Sequence, residues 1–123
     1  MITGLDHVQV ACPPGAEDRL REFYGAVLGL TEIAKPPLLA GRGGVWFQVG
    51  AGQLHCGVEE GFRPAAKAHP ALAVSDRAAL DALAVRCAEA GHPVTWSSDV
   101  PGVHRFHVLD PVGNRVELQT RRG

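Results

Sequence analysis

Over residues 5–12 the chain alternates: Leu5, His7, Gln9 and Ala11 fall on one side, and Asp6, Val8, Val10 and Cys12 on the other. That period of two predicts a first strand, ended by Pro13-Pro14-Gly15. Over residues 16–28 the apolar positions Leu20, Phe23, Tyr24, Val27 and Leu28 change to helical spacing. Glu17 and Asp18 lie in the first turn, where they oppose the helix dipole, and Gly29 stands beyond the end as a C-cap. Residues 30–34 predict a short strand, and Pro36, Pro37, Gly41, Gly43 and Gly44 mark a connection that cannot be helix interior. Residues 45–49 and 53–58 then predict a hairpin around Gly50-Ala51-Gly52.

After a linker containing Pro64 the order starts again. Residues 68–74 predict a strand, and Ser75-Asp76 an N-cap. Leu80, Leu83, Ala84, Cys87 and Ala88 form the stripe of a second helix that stops at Gly91. Residues 93–96 predict a short strand, 97–102 a loop, and 103–109 with 115–120 a final hairpin. Each half therefore reads βαβββ: an α+β fold of two repeats, 1–60 and 68–123, joined by the linker 61–67 in a single domain of 123 residues.

A duplicated unit should place equivalent residues at one constant separation. Gly29 and Gly91, which end the two helices, are 62 positions apart, and so are His7 and His69, and His55 and Glu117. Taken singly, a strand histidine is more often structural than a ligand. Sharing one offset with the strand-borne acid makes His7, His69 and Glu117 a candidate metal set, with His55 a fourth ligand or a donor behind the ligands. Three imidazoles and a carboxylate suit Zn, Ni, Mn or Fe. Two curled sheets would bring them to one cup.

The segment Asp110-Pro111-Val112-Gly113-Asn114 supplies turn chemistry between the last two strands. If it pairs Leu109 with Arg115, then His107 lies opposite Glu117 and Arg105 opposite Gln119, all on the ligand face. Arg105 and His107 are thus candidates for supporting the ligands from behind or for substrate binding. In the first hairpin either Trp46 or Phe47 lies across from His55, and Trp46 is assigned to shape an apolar wall. Gln9, two residues after His7, shares its face. His92 is expected to touch the helix end, and His104 to be exposed.

Composition narrows the class. A net charge of −1 with no basic run gives no sign of nucleic acid or an anionic membrane as partner. No apolar run reaches the roughly 18 residues of a spanning helix, and the N-terminus lacks signal-peptide regions, which leads to the expectation of a cytoplasmic protein. Cys12, Cys56 and Cys87 lack zinc-type spacing and read as small buried hydrophobes.

Gly4-Leu5-Asp6-His7-Val8, Phe23-Tyr24 followed by Leu28-Gly29, His69, and Asp110-Pro111 with Gly113-Asn114 and Glu117 resemble the vicinal oxygen chelate superfamily. That group includes glyoxalase I, fosfomycin-resistance proteins, extradiol dioxygenases and bleomycin-resistance proteins. The resemblance implies that His7, His69 and Glu117 are the metal triad, with Glu117 also catalytic. It places His55 where glyoxalase I carries a fourth ligand that is usually a carboxylate. It further implies a homodimer and a divalent-metal enzyme that chelates two neighbouring oxygens of a small oxygen-rich substrate and stabilises an oxyanion, as a lyase, transferase or dioxygenase. The other expectation it carries is a metal-free drug- or metabolite-binding protein of the bleomycin-resistance type.

Overall fold

The computed structural model describes residues 1–121. The chain divides into two compact units, Met1–Pro64 and Ala65–Gly123, with the border inside the expected linker. The expected second repeat, 68–123, ends on two residues that lie outside the described ones.

The first unit runs β1 (His7–Cys12), α1 (Glu17–Leu20), a π-helical continuation (Arg21–Val27), β2 (Thr31–Ile33), α2 (Pro37–Ala40), β3 (Val45–Val49) and β4 (Gly52–Val58). Its sheet has the order β1-β4-β3-β2, with β1 parallel to β4 and the other pairs antiparallel. Beyond Leu20 the helix widens, so that the Leu28 N–H reaches the Phe23 carbonyl at 2.9 Å, and Gly29 at φ 81° turns the chain out. One face of the sheet buries Val45, Phe47, Leu54 and Cys56 together with Leu20, Phe23, Tyr24 and Val27 of the helix. Tyr24 meets Phe23 edge-on at 4.9 Å and Phe47 at 5.7 Å between ring centroids.

The second unit runs β5 (Ala71–Ala73), α3 (Arg77–Glu89), β6 (Val94–Ser97), β7 (Val103–Leu109) and β8 (Arg115–Arg121). Its sheet repeats the first: order β5-β8-β7-β6, β5 parallel to β8, the rest antiparallel. Asp76 caps α3 by accepting the Ala79 N–H at 2.8 Å, as its position before the apolar stripe predicts. Leu80, Ala84 and Cys87 are buried with Phe106, Val108, Val116 and Leu118. All three cysteines are free and buried.

The register carries the repeat. Gln9 faces His55 across β1 and β4, and Ala71 faces Glu117 across β5 and β8; each residue sits 62 positions from its counterpart. Trp46 faces His55 and His107 faces Glu117, which settles the first hairpin in favour of Trp46. That pair is 61 apart, so one residue of length difference lies between the short strand and the hairpin of each unit.

Two expectations need correction. The connection after β2 does contain one helical turn, Pro37–Ala40, because proline is tolerated in a first turn, where its missing N–H has no acceptor to lose. The strand expected over 68–74 shrinks to Ala71–Ala73, which leaves His69 ahead of it. Pro70 has no N–H to offer a ladder, although its carbonyl still accepts the Glu117 N–H at 3.0 Å.

Candidate metal centre

In β8 the side chains of Val116 and Leu118 go to the helix side, and alternation sends Glu117 to the other face. The turn before it fixes which residues meet it there. Asp110 is buried; its Oδ1 accepts the backbone N–H groups of Val112 at 3.0 Å and Asn114 at 2.9 Å, and its Oδ2 accepts Asn114 Nδ2 at 3.0 Å. Gly113 at φ 96° completes the turn and donates to the Asp110 carbonyl at 3.0 Å. Leu109 therefore pairs with Arg115, His107 with Glu117 and Arg105 with Gln119.

Glu117 is only 3% exposed, and four side chains surround its carboxylate. Oε1 lies 3.1 Å from His69 Nε2 and 3.0 Å from His107 Nε2, and it accepts Arg105 Nη1 at 3.0 Å. Oε2 accepts Gln119 Nε2 at 3.0 Å. Burial alone would raise the carboxyl's pKa. The His69 hydrogen bond, the charges of Arg105 and His107, and Gln119 outweigh it and hold the group below its usual range. His107 is also held low, by burial first and by Arg115 next, against the pull of Glu117.

His69, His107 and Glu117 each offer one ligand atom, and those atoms lie within 4.8 Å of one another. His69 Nδ1 lies 2.9 Å from the Lys67 carbonyl, which can only accept, so Nδ1 carries the proton. Its Nε2 then stands 3.1 Å from a carboxylate oxygen, a spacing that either a proton or a metal between the two satisfies. A ligating histidine steadied by a backbone carbonyl on its other nitrogen is the usual construction of such centres. The donor set therefore fits a divalent transition metal.

Sequence reasoning made His107 a candidate for supporting the ligands or binding substrate. The structure puts its Nε2 as near Glu117 Oε1 as that of His69. The signal was already present in the cross-strand pairing.

His7 and His55 belong to the first unit. His55 is 4% exposed and lies in a stack, 3.7 Å from Trp46 with the planes parallel and 4.2 Å from His7 with the planes at 16°. Its Nε2 lies 2.8 Å from Gln53 Oε1, and burial, followed by the charge of His7, lowers its pKa. His7 Nδ1 lies 2.9 Å from Asp6 Oδ2. Gln9 lies across Gly57, where a Cβ would come within 2.6 Å of its Nε2, and it lines a cavity of about 260 Å³ together with Trp46, Lys35 and Arg42.

In the second unit a cavity of about 720 Å³ opens beside His107 and Arg105, lined also by Thr95, Ser97, Leu109 and Arg115. His104 is half-buried and bonds Arg77 at 2.9 Å, so the expectation of an exposed histidine gives way to a helix contact. His92 meets the end of α3 as expected, through its backbone N–H to the Cys87 carbonyl at 2.8 Å. Among the described residues no helix is long and apolar enough to cross a membrane.

Two βαβββ units with this strand order and an acid facing the final hairpin define a vicinal oxygen chelate architecture. Among solved structures, a glyoxalase family protein from Bacillus anthracis shares 44% identity, with a TM-score of 0.92 over 98% of this chain and 97% of that one. The chain belongs to the glyoxalase family of the vicinal oxygen chelate superfamily. A lactoylglutathione lyase from Agrobacterium tumefaciens (22% identity, TM-score 0.75, covering 97% of this chain and 94% of that one) has the same fold. So does a fosfomycin resistance protein from Listeria monocytogenes (16%, TM-score 0.77, 98% and 94%). No family model and no curated protein sequence matches the chain.

Proposed function

We propose that this protein is a divalent-metal-dependent enzyme acting on a small oxygen-rich molecule. The observation that carries the reading is the buried Glu117 carboxylate with the Nε2 atoms of His69 and His107 converged on one of its oxygens; His107 and Arg105 of this cluster also line a cavity large enough for a small substrate. A bound metal would act as a Lewis acid toward two neighbouring substrate oxygens and stabilise the negative charge that develops on them. Glu117 holds the cation. The Thr95 and Ser97 hydroxyls and the Arg115 guanidinium, all on the cavity wall, orient the substrate by hydrogen bonds and charge. One carboxylate among neutral imidazoles leaves residual positive charge, which favours an anionic intermediate.

The resemblance supports His7 as a further ligand and a homodimer as the working form; both belong to this proposal. Metal analysis and calorimetry test it. About one equivalent of Zn, Ni, Mn or Fe should bind and raise the melting temperature, and His7→Ala should weaken uptake by tenfold or more. Less than about a tenth of an equivalent, with no thermal gain from any of the four, would sink the reading.

A further inference from the structure

Arg105 is the one member of the Glu117 cluster that a metal cannot use. It stands on β7 two residues before His107, opposite Gln119 and diagonal to Glu117. Nη1 donates to Glu117 Oε1 at 3.0 Å, and Nη2 donates to Asp99 Oδ1 at 2.8 Å. Asp99 lies in the exposed loop between β6 and β7. Nε is buried without an acceptor, the one such side-chain atom found among the described residues.

Oε1 is thereby crowded. His69 Nε2, His107 Nε2 and Arg105 Nη1 all lie 3.0 to 3.1 Å from it, whereas a carboxylate oxygen offers about two lone-pair sites. A cation that takes Oε1 must displace a donor. The imidazoles can stay, because each can present a lone pair to the metal. A guanidinium has no lone pair to present and keeps its proton, and its charge repels the incoming ion.

We propose that Arg105 sets the metal affinity of this centre. Its guanidinium competes with the cation for Glu117 Oε1, and Asp99 anchors it when the cation takes that place. The inference rests on the metal reading above. The orphaned Nε makes the Glu117-bound position of the guanidinium an incompletely satisfied one, since an unpaired buried donor is unfavourable. A move toward the exposed Asp99 returns Nε to water. The same side chain thus neutralises the carboxylate in the metal-free protein and leaves with its salt bridge to Asp99 intact.

The alternative role has the opposite sign. Were Arg105 a support that orients Glu117 for the metal, its removal would weaken binding by 10- to 100-fold, as loss of such supports does. Calorimetric titration with Zn²⁺ and with Mn²⁺, on variants whose fold is verified by circular dichroism and melting, separates the two. Arg105→Gln should tighten binding of both ions about tenfold, the effect one neighbouring charge has on an ionisation. Arg105→Lys, which keeps the charge, should stay near wild type.

Asp99→Asn should weaken binding in the wild-type background and change nothing once Arg105 is Gln. Where Arg105→Gln fails to fold, the wild-type half of this arm still decides: unchanged or tighter binding in Asp99→Asn overturns the proposal. Unchanged or weaker binding in Arg105→Gln, or equal tightening in Arg105→Lys, overturns the proposal while wild-type metal binding preserves the proposed function. Absence of binding in every variant overturns both.

Discussion

The two units have the same strand order and matching cross-strand pairings, and they surround the equivalent position with different groups. In the first, His55 is a flat, buried ring between Trp46 and His7, held by stacking and one contact with Gln53. In the second, the equivalent residue is Glu117, and a charge buried at that position must be compensated. Two imidazoles, a guanidinium and an amide crowd around it as a result. One change of side chain, from aromatic to anionic, replaces a stacked ring with a carboxylate ringed by donors on an unchanged backbone plan. Trp46 and His107 show the same divergence at the strand next door: an indole that stacks in one unit, an imidazole that reaches an oxygen in the other.

The comparison can be broken most directly by erasing it. Glu117→His, which makes the second unit resemble the first, should lower metal affinity by at least about 100-fold, since it removes the only carboxylate of the set; calorimetry reads the loss. Retention of a full equivalent would show that the difference between the units is not electrostatic. Next in size is the turn that supports the contrast. Asp110→Ala strands buried donors of Val112 and Asn114 and should destabilise the fold by about 2–4 kcal/mol in a urea titration, with metal binding weakened through loss of register.

Acid should produce the smallest effect. The folded first unit favours neutral His55, whose pKa is lowered. As pH falls below the ordinary imidazole value of 6.5, the unfolded chain takes up a proton that the fold refuses, so stability drops with decreasing pH. The lowered Glu117 adds a loss of the same sign below 4.5. His55→Gln should reduce the slope around the imidazole range, where the lowered His107 keeps a share, and leave the lower one in place, as read from melting temperatures between about pH 3 and about pH 8.

Much of this architecture is legible before any coordinates, because it rests on periodicity. Alternation around Glu117 and the Asp110 to Asn114 turn chemistry fix the last hairpin, and the 62-residue offset relates His55 to Glu117; that Gln9 faces the one and Ala71 the other comes from the parallel pairing of first and last strands. What escapes lies off the periodic elements. His69 precedes its strand because Pro70 interrupts the ladder, and its orientation comes from the Lys67 carbonyl, which no spacing rule supplies. Arg105 reaches Asp99 only because the 97–102 loop bends back. The π-helical stretch after Leu20 carries the same apolar spacing as an ordinary helix and leaves no separate mark in the sequence.

The hydrogen bond from the Glu117 N–H to the Pro70 carbonyl has a further consequence. It joins the two ends of the second unit beside the very side chains that would hold the metal, His69 and Glu117, 48 residues apart along the chain. A cation shared by those two would act as a removable staple across that long segment, cutting the freedom of the unfolded chain as a cross-link does. Loss of the ion would then be felt in the cohesion of the whole unit, and a chelator would loosen α3 and the hairpin together.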